Sequence, residues 1–288
     1  MFRSILAATD FSPAAERAVT MAVDWAARQG APLEIVHVFD HPVRAVPSGT
    51  PWLSGDDEAE HGRLLGEHLE REVSRARAKL SSATGVLLRG KPHAAIAEHA
   101  REMHADLIVI GARGLGRIER TLLGSVADRV LRTASTSVLV VPEEAHGSTI
   151  PRVIVVPTDF SDAARHAIER ATTFASEIDA SLEIVHAWEL PAIGRKSEGI
   201  AEDIRGAALS HVVRTHPATP VARAHHHARE GAPTDVILSL VEETHADLIA
   251  IAPTGQHRLA SWLLGSVTDR VVRTSPVPVL VLRDGTSA

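Results

Sequence analysis

The residues best suited to chemistry are glycines and polar side chains that recur at a fixed spacing. Gly111 and Gly114 follow an apolar run, and after nine further residues Gly124 and Ser125 precede a helical pattern. Glycine lets the backbone turn sharply and bring N–H groups close to a phosphate. A helix start adds unpaired N–H groups and the positive end of the helix dipole. The spacing indicates a phosphate site, while turn glycines and a helix-capping serine are the plainer alternative.

This pattern occurs twice because the chain is internally repeated. Thr9–Ser12 recurs as Thr158–Ser161 at an offset of 149 residues, and Leu122–Val126 recurs as Leu263–Val267 at an offset of 141. The second copy is therefore eight residues shorter between these segments (149 − 141). The 288-residue chain is a duplicated domain. We expect its two units at residues 1–145 and 150–284.

Each copy alternates apolar strands with helical patterns, which predicts an α/β fold. The strands predicted in the first copy are Ser4–Ala8, Leu33–Phe39, Gly85–Arg89, Leu107–Ile110 and Val138–Val141. The helices predicted between them are Pro13–Gly30, Glu58–Leu80, Pro92–Met103 and Ser125–Arg132. The second copy repeats this order from Val153–Val156 to Val279–Leu282. Two tandem doubly wound, parallel, Rossmann-like sheets are expected, with crossovers of right-handed sense.

One long segment stands outside the repeated pattern. Asp40–Asp57 is rich in proline and glycine and is predicted to be a loop. It carries Trp52 and Leu53, which would suit a lid or a partner surface, although a plain solvent loop explains them equally well.

Composition excludes several functional classes. The formal net charge of −6 argues against a nucleic-acid partner, and the absence of cysteine excludes disulfides and thiolate chemistry. None of the three lysines lies in a Gly-Lys-Ser/Thr context, so the chain lacks a P-loop. No apolar run reaches membrane-spanning length, and Asp10 comes too early for a secretory leader. A cytoplasmic protein without membrane contact is expected.

The spacing G-x2-G-x9-G-[ST], preceded by Asp106–Val109 and accompanied by Asp10, resembles the ATP-binding signature of the universal stress proteins. The resemblance covers the whole chain twice, so the protein is similar to tandem members of that family, with their adenine nucleotide alpha hydrolase-like fold. It implies bound ATP, with or without Mg²⁺, and a role in the stress response. It also implies that the last strand of each unit pairs within the chain, which forms a pseudo-dimer. A further homodimer and a regulatory protein partner stay open.

The resemblance implies a role for each matching residue. Ala8, Thr9 and Asp10 would face adenine and ribose, and the main chain of Val38 would bind the adenine edge. The remaining nucleotide contacts that it implies in the first unit are Gly111, Gly114, Gly124, Ser125 and Val126. Arg113 is expected to join them, although surface solvation is the simpler interpretation of at least two of Arg113, Arg117 and Arg120. Without the resemblance, a turn carboxylate ahead of the first helix is the simpler interpretation of Asp10.

The second unit supplies matching positions with one departure. Its expected nucleotide contacts are Pro157, Thr158, Asp159, Ala187, Gly255, Gly265, Ser266 and Val267. Ala252 replaces the first glycine and Pro253 follows it. A methyl group there would crowd a phosphate, and proline removes an N–H donor. We therefore expect the first unit to hold most of the nucleotide.

Nothing in the sequence marks a catalytic nucleophile. Ser12, Ser125, Ser161 and Ser266 are all interpreted as helix caps, so a regulatory binding module with at most slow ATP hydrolysis is expected. A nucleotide-free interaction scaffold is the alternative.

Histidine offers a second class of function, since the chain contains 17 of them. Strand alternation would place His225 and His227 on one face, where a carboxylate such as Glu230 could complete a Zn²⁺ site. A strand that merely tolerates histidine is the simpler interpretation. His37 and His186 lie in matching apolar strands and are expected to be structural.

Overall fold

A computed structural model describes residues 1–39, 55–114, 123–145, 147–189, 198–215, 223–255 and 264–283. The first unit contains β1 (Ile5–Thr9), α1 (Pro13–Gln29), β2 (Leu33–Phe39), α2 (Gly55–Arg77), β3 (Thr84–Arg89), α3 (Pro92–Glu102), β4 (Leu107–Gly111), α4 (Ser125–Thr133) and β5 (Ser137–Val141). The second contains β6 (Val153–Pro157), α5 (Asp162–Ile178), β7 (Ser181–Trp188), α6 (Glu198–Thr215), β8 (Ala224–Glu230), α7 (Pro233–Thr244), β9 (Leu248–Ile251), α8 (Ser266–Thr274) and β10 (Val279–Val281).

This alternation confirms the predicted α/β class with two tandem copies of one unit. The main difference is α2, which begins at Gly55 and ends at Arg77 where the sequence predicted Glu58–Leu80. Most of the predicted loop Asp40–Asp57, with Trp52 and Leu53, lies outside the described residues. None of the helices within the described ranges is both long and apolar enough to cross a membrane.

All ten strands form one continuous sheet in the order β3-β2-β1-β4-β5-β10-β9-β6-β7-β8. Within each unit the strands run parallel, whereas β5 and β10 meet antiparallel, with Leu139 opposite Leu280. The last strand of each unit therefore covers the open edge of the other, which leaves no unpaired backbone at the centre of the sheet.

Side chains at the junction also join the units on both faces of the sheet. On one face Trp25, Phe2 and Phe174 form a cluster of three rings, with Trp25 at ring-centroid distances of 6.0 Å from Phe2 and 4.6 Å from Phe174. On the other face, Arg132 of α4 pairs with Asp269 of α8 at 2.9 Å, and Arg273 of α8 pairs with Asp128 of α4 at 2.6 Å. The repeat thus forms one structure with a core shared across the junction.

Local sequence explains how the helices begin and end. Ser12 precedes α1, and its hydroxyl accepts a hydrogen bond from the Ala15 N–H; Pro13 occupies the first turn. Gly30 ends the helix in the left-handed conformation that glycine adopts without strain. Ser161 caps α5 in the same way. Both helices therefore start directly after the turn that follows the first strand of their unit, and this fixes the position of Asp10 and Asp159.

Candidate functional site

A cavity of about 330 Å³ lies at the carboxyl ends of β1, β2 and β4, beside the start of α4. This is the edge of a doubly wound sheet where ligands generally bind. All the residues that the resemblance assigned to the first unit line it: Ala8, Thr9, Asp10, Val38, Gly111, Arg113, Gly114, Gly124, Ser125 and Val126. The fold therefore brings together residues that are more than a hundred positions apart in the chain.

The second unit contains a matching cavity of about 380 Å³. It is lined by all of its assigned residues, namely Pro157, Thr158, Asp159, Ala187, Gly255, Gly265, Ser266 and Val267. The second cavity is thus not smaller than the first, although Ala252 and Pro253 differ there from the first copy.

The turn after β1 holds its shape through a chain of side-chain hydrogen bonds. The Thr9 hydroxyl accepts from the Phe11 N–H at 3.1 Å, and Asp10 Oδ1 accepts from the Ser12 N–H at 3.1 Å. The Ser12 hydroxyl also donates to the carbonyl of Arg113 at 3.3 Å. Phe11 itself adopts a left-handed φ of 63°, which is uncommon for a bulky residue. Asp10 is therefore a turn carboxylate, which agrees with the simpler of the two interpretations of its sequence position. It also lines the cavity.

The backbone of Gly114 lies directly against the carboxylate of Asp10. A Cβ placed on Gly114 would come far closer than 3.0 Å to Oδ2 of Asp10, and one placed on Gly255 would meet Asp159 in the same way. Real Cβ atoms do not approach other atoms so closely. The second glycine of each copy therefore lets the backbone pass directly against the carboxylate.

Gly111 serves a different purpose. A Cβ at this position would meet backbone atoms of Ala14 and Ala15 in α1 at 2.8 Å. In the second unit Ala252 does carry that methyl group, is 6% exposed and belongs to the hydrophobic cluster on the α5 face. The methyl of Ala252 therefore packs into the core, but Ala252 also lines the second cavity, so the expectation that it crowds a phosphate stays a prediction.

The other reason to expect a weaker site, the loss of an N–H donor at Pro253, is not supported. The N–H of Ala112, which Pro253 replaces, donates to the carbonyl of Val141 at 2.8 Å. That N–H belongs to the sheet in the first unit, so its absence in the second unit removes no phosphate donor. Of the two reasons to expect a weaker second site, the Ala252 methyl therefore remains.

The start of α4 provides N–H groups to the cavity. Gly124 is the N-cap, and the first bond within the helix runs from the Asp128 N–H to the Gly124 carbonyl at 2.9 Å. The N–H groups of Ser125, Val126 and Ala127 precede that bond, and all three residues line the cavity. Such unpaired N–H groups and the helix dipole favour an anion. Gly265 and Ser266 repeat this arrangement at α8.

This geometry corrects one expectation about the serines. Ser12 and Ser161 cap their helices, but Ser125 and Ser266 stand at the first helical position, after a glycine N-cap, and neither helix has a side-chain cap bond. Ser125 and Ser266 therefore are cavity-lining residues whose hydroxyls are not used as caps.

His37 and His186 line the two cavities, which the sequence did not favour. Nδ1 of His37 lies 2.8 Å from the carbonyl of Thr9, and Nδ1 of His186 lies 2.9 Å from that of Thr158. Because a carbonyl only accepts, Nδ1 carries the proton in each case. Burial lowers the pKa of His37, so its ring is neutral near pH 7. The signal was present in the repeat, where Leu33–His37 recurs unchanged.

A further residue next to the first cavity, Glu72, was not predicted from the sequence. Glu72 of α2 hydrogen-bonds the Thr9 side chain, and burial raises the pKa of Glu72. Its Oε2 is buried without a hydrogen-bond partner in the described structure. Glu72 therefore places a second carboxyl group next to the turn that holds Asp10.

The histidine run of β8 has a different partner from the one expected. His225 Nδ1 and His227 Nε2 lie 2.8 and 2.6 Å from the two oxygens of Glu183 on β7, a residue that is 6% exposed. The carboxylate between the histidines is therefore Glu183, and Glu230 was the wrong choice. Across the described ranges, no group of three or more histidine or acidic side chains is arranged to hold a metal ion.

Comparison with known proteins agrees with this architecture. The sequence model of the universal stress protein family matches residues 1–142 and 151–283. A universal stress protein of Mycolicibacterium smegmatis is 27% identical over 97% of this chain and 96% of its own. One from Thermus aquaticus is 38% identical over 49% of this chain and 99% of its own.

A solved structure shows the same fold. The crystal structure of a universal stress protein from Archaeoglobus fulgidus has a TM-score of 0.72 and 22% identity, and the match covers 97% of this chain and 98% of that one. With the two family matches, the repeated unit and the paired cavities, the chain belongs to the universal stress protein family, as a tandem member with two family units.

Proposed function

We propose that this chain is a regulatory module that binds an adenine nucleotide, with ATP held in the cavity of the first unit (residues 1–145). One observation carries the proposal. The turn carboxylate Asp10, the glycine pair Gly111 and Gly114, and the start of α4 converge on one cavity of about 330 Å³. A nucleotide needs this combination of an apolar wall, a polar group for its sugar and anion donors for its phosphates.

Each part of the cavity suits one part of the nucleotide. Val36, Ile96 and Ile110 provide apolar walls for a base, next to Val38, which lines the same cavity. At the other end, the N–H groups at the start of α4 and the guanidinium of Arg113 suit phosphate oxygens. Asp10, between these ends, suits a ribose hydroxyl.

Magnesium fits this arrangement in a limited way. Mg²⁺ in nucleotide sites is usually held by phosphate oxygens with one or two carboxylates. Asp10 is the carboxylate that lines the first cavity, and it would share the ion with the phosphates. The ion would neutralise phosphate charge.

Binding is favoured over catalysis by the chemistry of the lining. Among the described residues of the first cavity, the ionisable side chains are Asp10, His37 and Arg113. Asp10 holds the turn and His37 Nδ1 holds Thr9, so both are engaged in structure. Slow hydrolysis of bound ATP is the most that we attribute to this site.

Mass spectrometry of small molecules released from the purified chain tests the proposal directly. We expect an adenine nucleotide to be released from the wild type. Gly124→Asp places a carboxylate at the N-cap of α4, where it occupies the N–H groups and repels phosphate. The same change at Gly265 is the matched control in the second unit.

The outcomes separate the two candidate functions. Loss of bound ATP in Gly124→Asp, with thermal stability retained, supports the nucleotide site in the first unit. An empty wild-type protein that folds normally and binds no added adenine compound would overturn the proposal and favour the nucleotide-free scaffold.

A further inference from the structure

The two cavities share most of their walls. Each has a threonine and an aspartate at the end of the first strand, a histidine bonded to that threonine's carbonyl, and an isoleucine from the third helix of its unit. Each also has a glycine and a serine at the start of the last helix. The same kind of ligand therefore fits both.

Charge distinguishes the cavities. Arg113, which precedes the second glycine of the first copy, lines the first cavity. The corresponding residue before Gly255 is Thr254. No lysine or arginine of the described residues lines the second cavity, while its carboxylate Asp159 lies directly against Gly255.

Two observations show that this difference is not compensated by other features. The second cavity, at about 380 Å³, is not too small for a ligand that the first accepts at about 330 Å³. In sequence, residues 115–122 carry two arginines and one glutamate, and residues 256–263 carry one arginine, so each segment has the same formal charge of +1. Among the described residues that line the two cavities, Arg113 is therefore the net difference in charge.

These charges determine how many phosphate groups of a nucleotide each cavity can hold. A helix start has N–H groups for one phosphate group, and α8 retains them. Each additional phosphate brings further negative charge, which needs a cation such as arginine to balance it. In Mg²⁺-free solution, where no metal ion balances the phosphates and that arginine is absent, Asp159 would repel the outer phosphates of a triphosphate.

We propose that the second cavity is a separate site for an adenine nucleotide with a single phosphate group, and that Arg113 and Thr254 determine the preference of each cavity. The inference rests on the proposed function, because it takes adenine binding in the first cavity as given. The chain would then carry a triphosphate site and a monophosphate site in one molecule.

Isothermal titration of the full chain with ATP and with AMP in Mg²⁺-free solution tests this inference. To isolate the second cavity, the first is blocked by Gly124→Asp. In that background we expect AMP to bind at least tenfold more tightly than ATP. Thr254→Arg should raise the affinity for ATP about tenfold, which is a modest value for a new charge-assisted hydrogen bond. Thr254→Gln adds length and polarity without charge, and should leave the affinity for ATP unchanged.

The reciprocal change completes the test. In a Gly265→Asp background, Arg113→Thr should weaken ATP binding about tenfold and leave AMP binding nearly constant. Equal affinities for ATP and AMP in the second cavity, no AMP binding there, or equal effects of Thr254→Arg and Thr254→Gln would overturn the inference while the proposed function stands. Failure of the first cavity to bind any adenine compound in the Gly265→Asp background would instead overturn the proposed function.

Discussion

Asp10 and Gly114 are packed so closely that a Cβ on residue 114 would lie well under 3.0 Å from Oδ2 of Asp10, so a side chain there requires the carboxylate to move. The carboxylate of β1 and the glycine after β4 therefore form one wall of the first cavity. The second unit repeats this relationship between Asp159 and Gly255.

The Gly114→Ala substitution should displace the Asp10 carboxylate from this wall. Because Gly114 does not have a positive φ, the backbone itself accepts alanine, and the effect falls on the neighbouring side chain. We expect the affinity for ATP to fall at least tenfold, measured by titration calorimetry, with only a small change in melting temperature. Gly255→Ala is the matched control, and an equal loss of ATP binding in both variants would contradict the assignment of the main site to the first unit.

Gly111→Ala should act on stability. The added methyl group would meet backbone atoms of Ala14 and Ala15 at 2.8 Å, so α1 must shift. Overpacking of this kind costs about 1–3 kcal/mol. Denaturant unfolding measures it. The reverse change, Ala252→Gly, removes a buried methyl and should also destabilise the chain, by about 1 kcal/mol. A stabilised Ala252→Gly variant would show that this methyl is strained in the native protein.

The ion pairs between α4 and α8 should contribute modestly to the junction. Arg273 and Asp128 lie 2.6 Å apart, and their side chains are 28% and 26% exposed. For a partly exposed pair, a double-mutant cycle with Arg273→Ala and Asp128→Ala should give a coupling of about 0.5–1 kcal/mol. The coupling should shrink as salt is raised. A coupling of zero at low salt would show that the pair contributes no stability.

Glu72 should make the stability of the protein depend on pH. Its pKa is raised in the folded state, so the ionised form is disfavoured there. Stability from this group is fully present below the unfolded pKa near 4.5 and is lost as the pH rises through the higher folded pKa.

The Glu72→Gln variant removes this charge and tests that dependence. It should be more stable than the wild type at pH 7 and nearly equal to it at pH 4, in parallel thermal unfolding at both values. Greater stability of the wild type at pH 7 would mean that the carboxylate has a stabilising partner. Glu67→Gln is the exposed control on the same helix; it removes a solvent-exposed pair with Arg63 and should change the stability by less than about 0.5 kcal/mol at either pH.

Strand alternation could have predicted where the Ala252 methyl points. In β4, Leu107 and Val109 face α1, whereas Ile108 and Ile110 face the other side. Residue 111 continues the alternation of Leu107 and Val109, so a side chain at this position points into the core on the α1 face. The sequence contains this information, because alternation is fixed by the strand backbone.

Side-chain contacts between neighbouring elements could not be predicted in the same way. Glu34 and Glu183 occupy the same place in the two copies, yet Glu34 contacts His99 of α3 and Glu183 contacts His225 of β8. The pairing of Glu183 with His225 depends on the register between β7 and β8. The sequence therefore predicted the strands and helices and, through the family resemblance, much of the cavity lining, but not the two lining histidines or which side chains meet from neighbouring elements.

The antiparallel junction between β5 and β10 has a consequence for how the two cavities can diverge. If two separate copies of one unit made this junction, dilution would dissociate them, and both copies would carry identical residues. In a single chain the partner is always present, so the pairing does not depend on protein concentration. Each position of the repeat is then encoded twice and can mutate on its own. Arginine at 113 and threonine at 254 can therefore coexist in every molecule at a ratio of one to one.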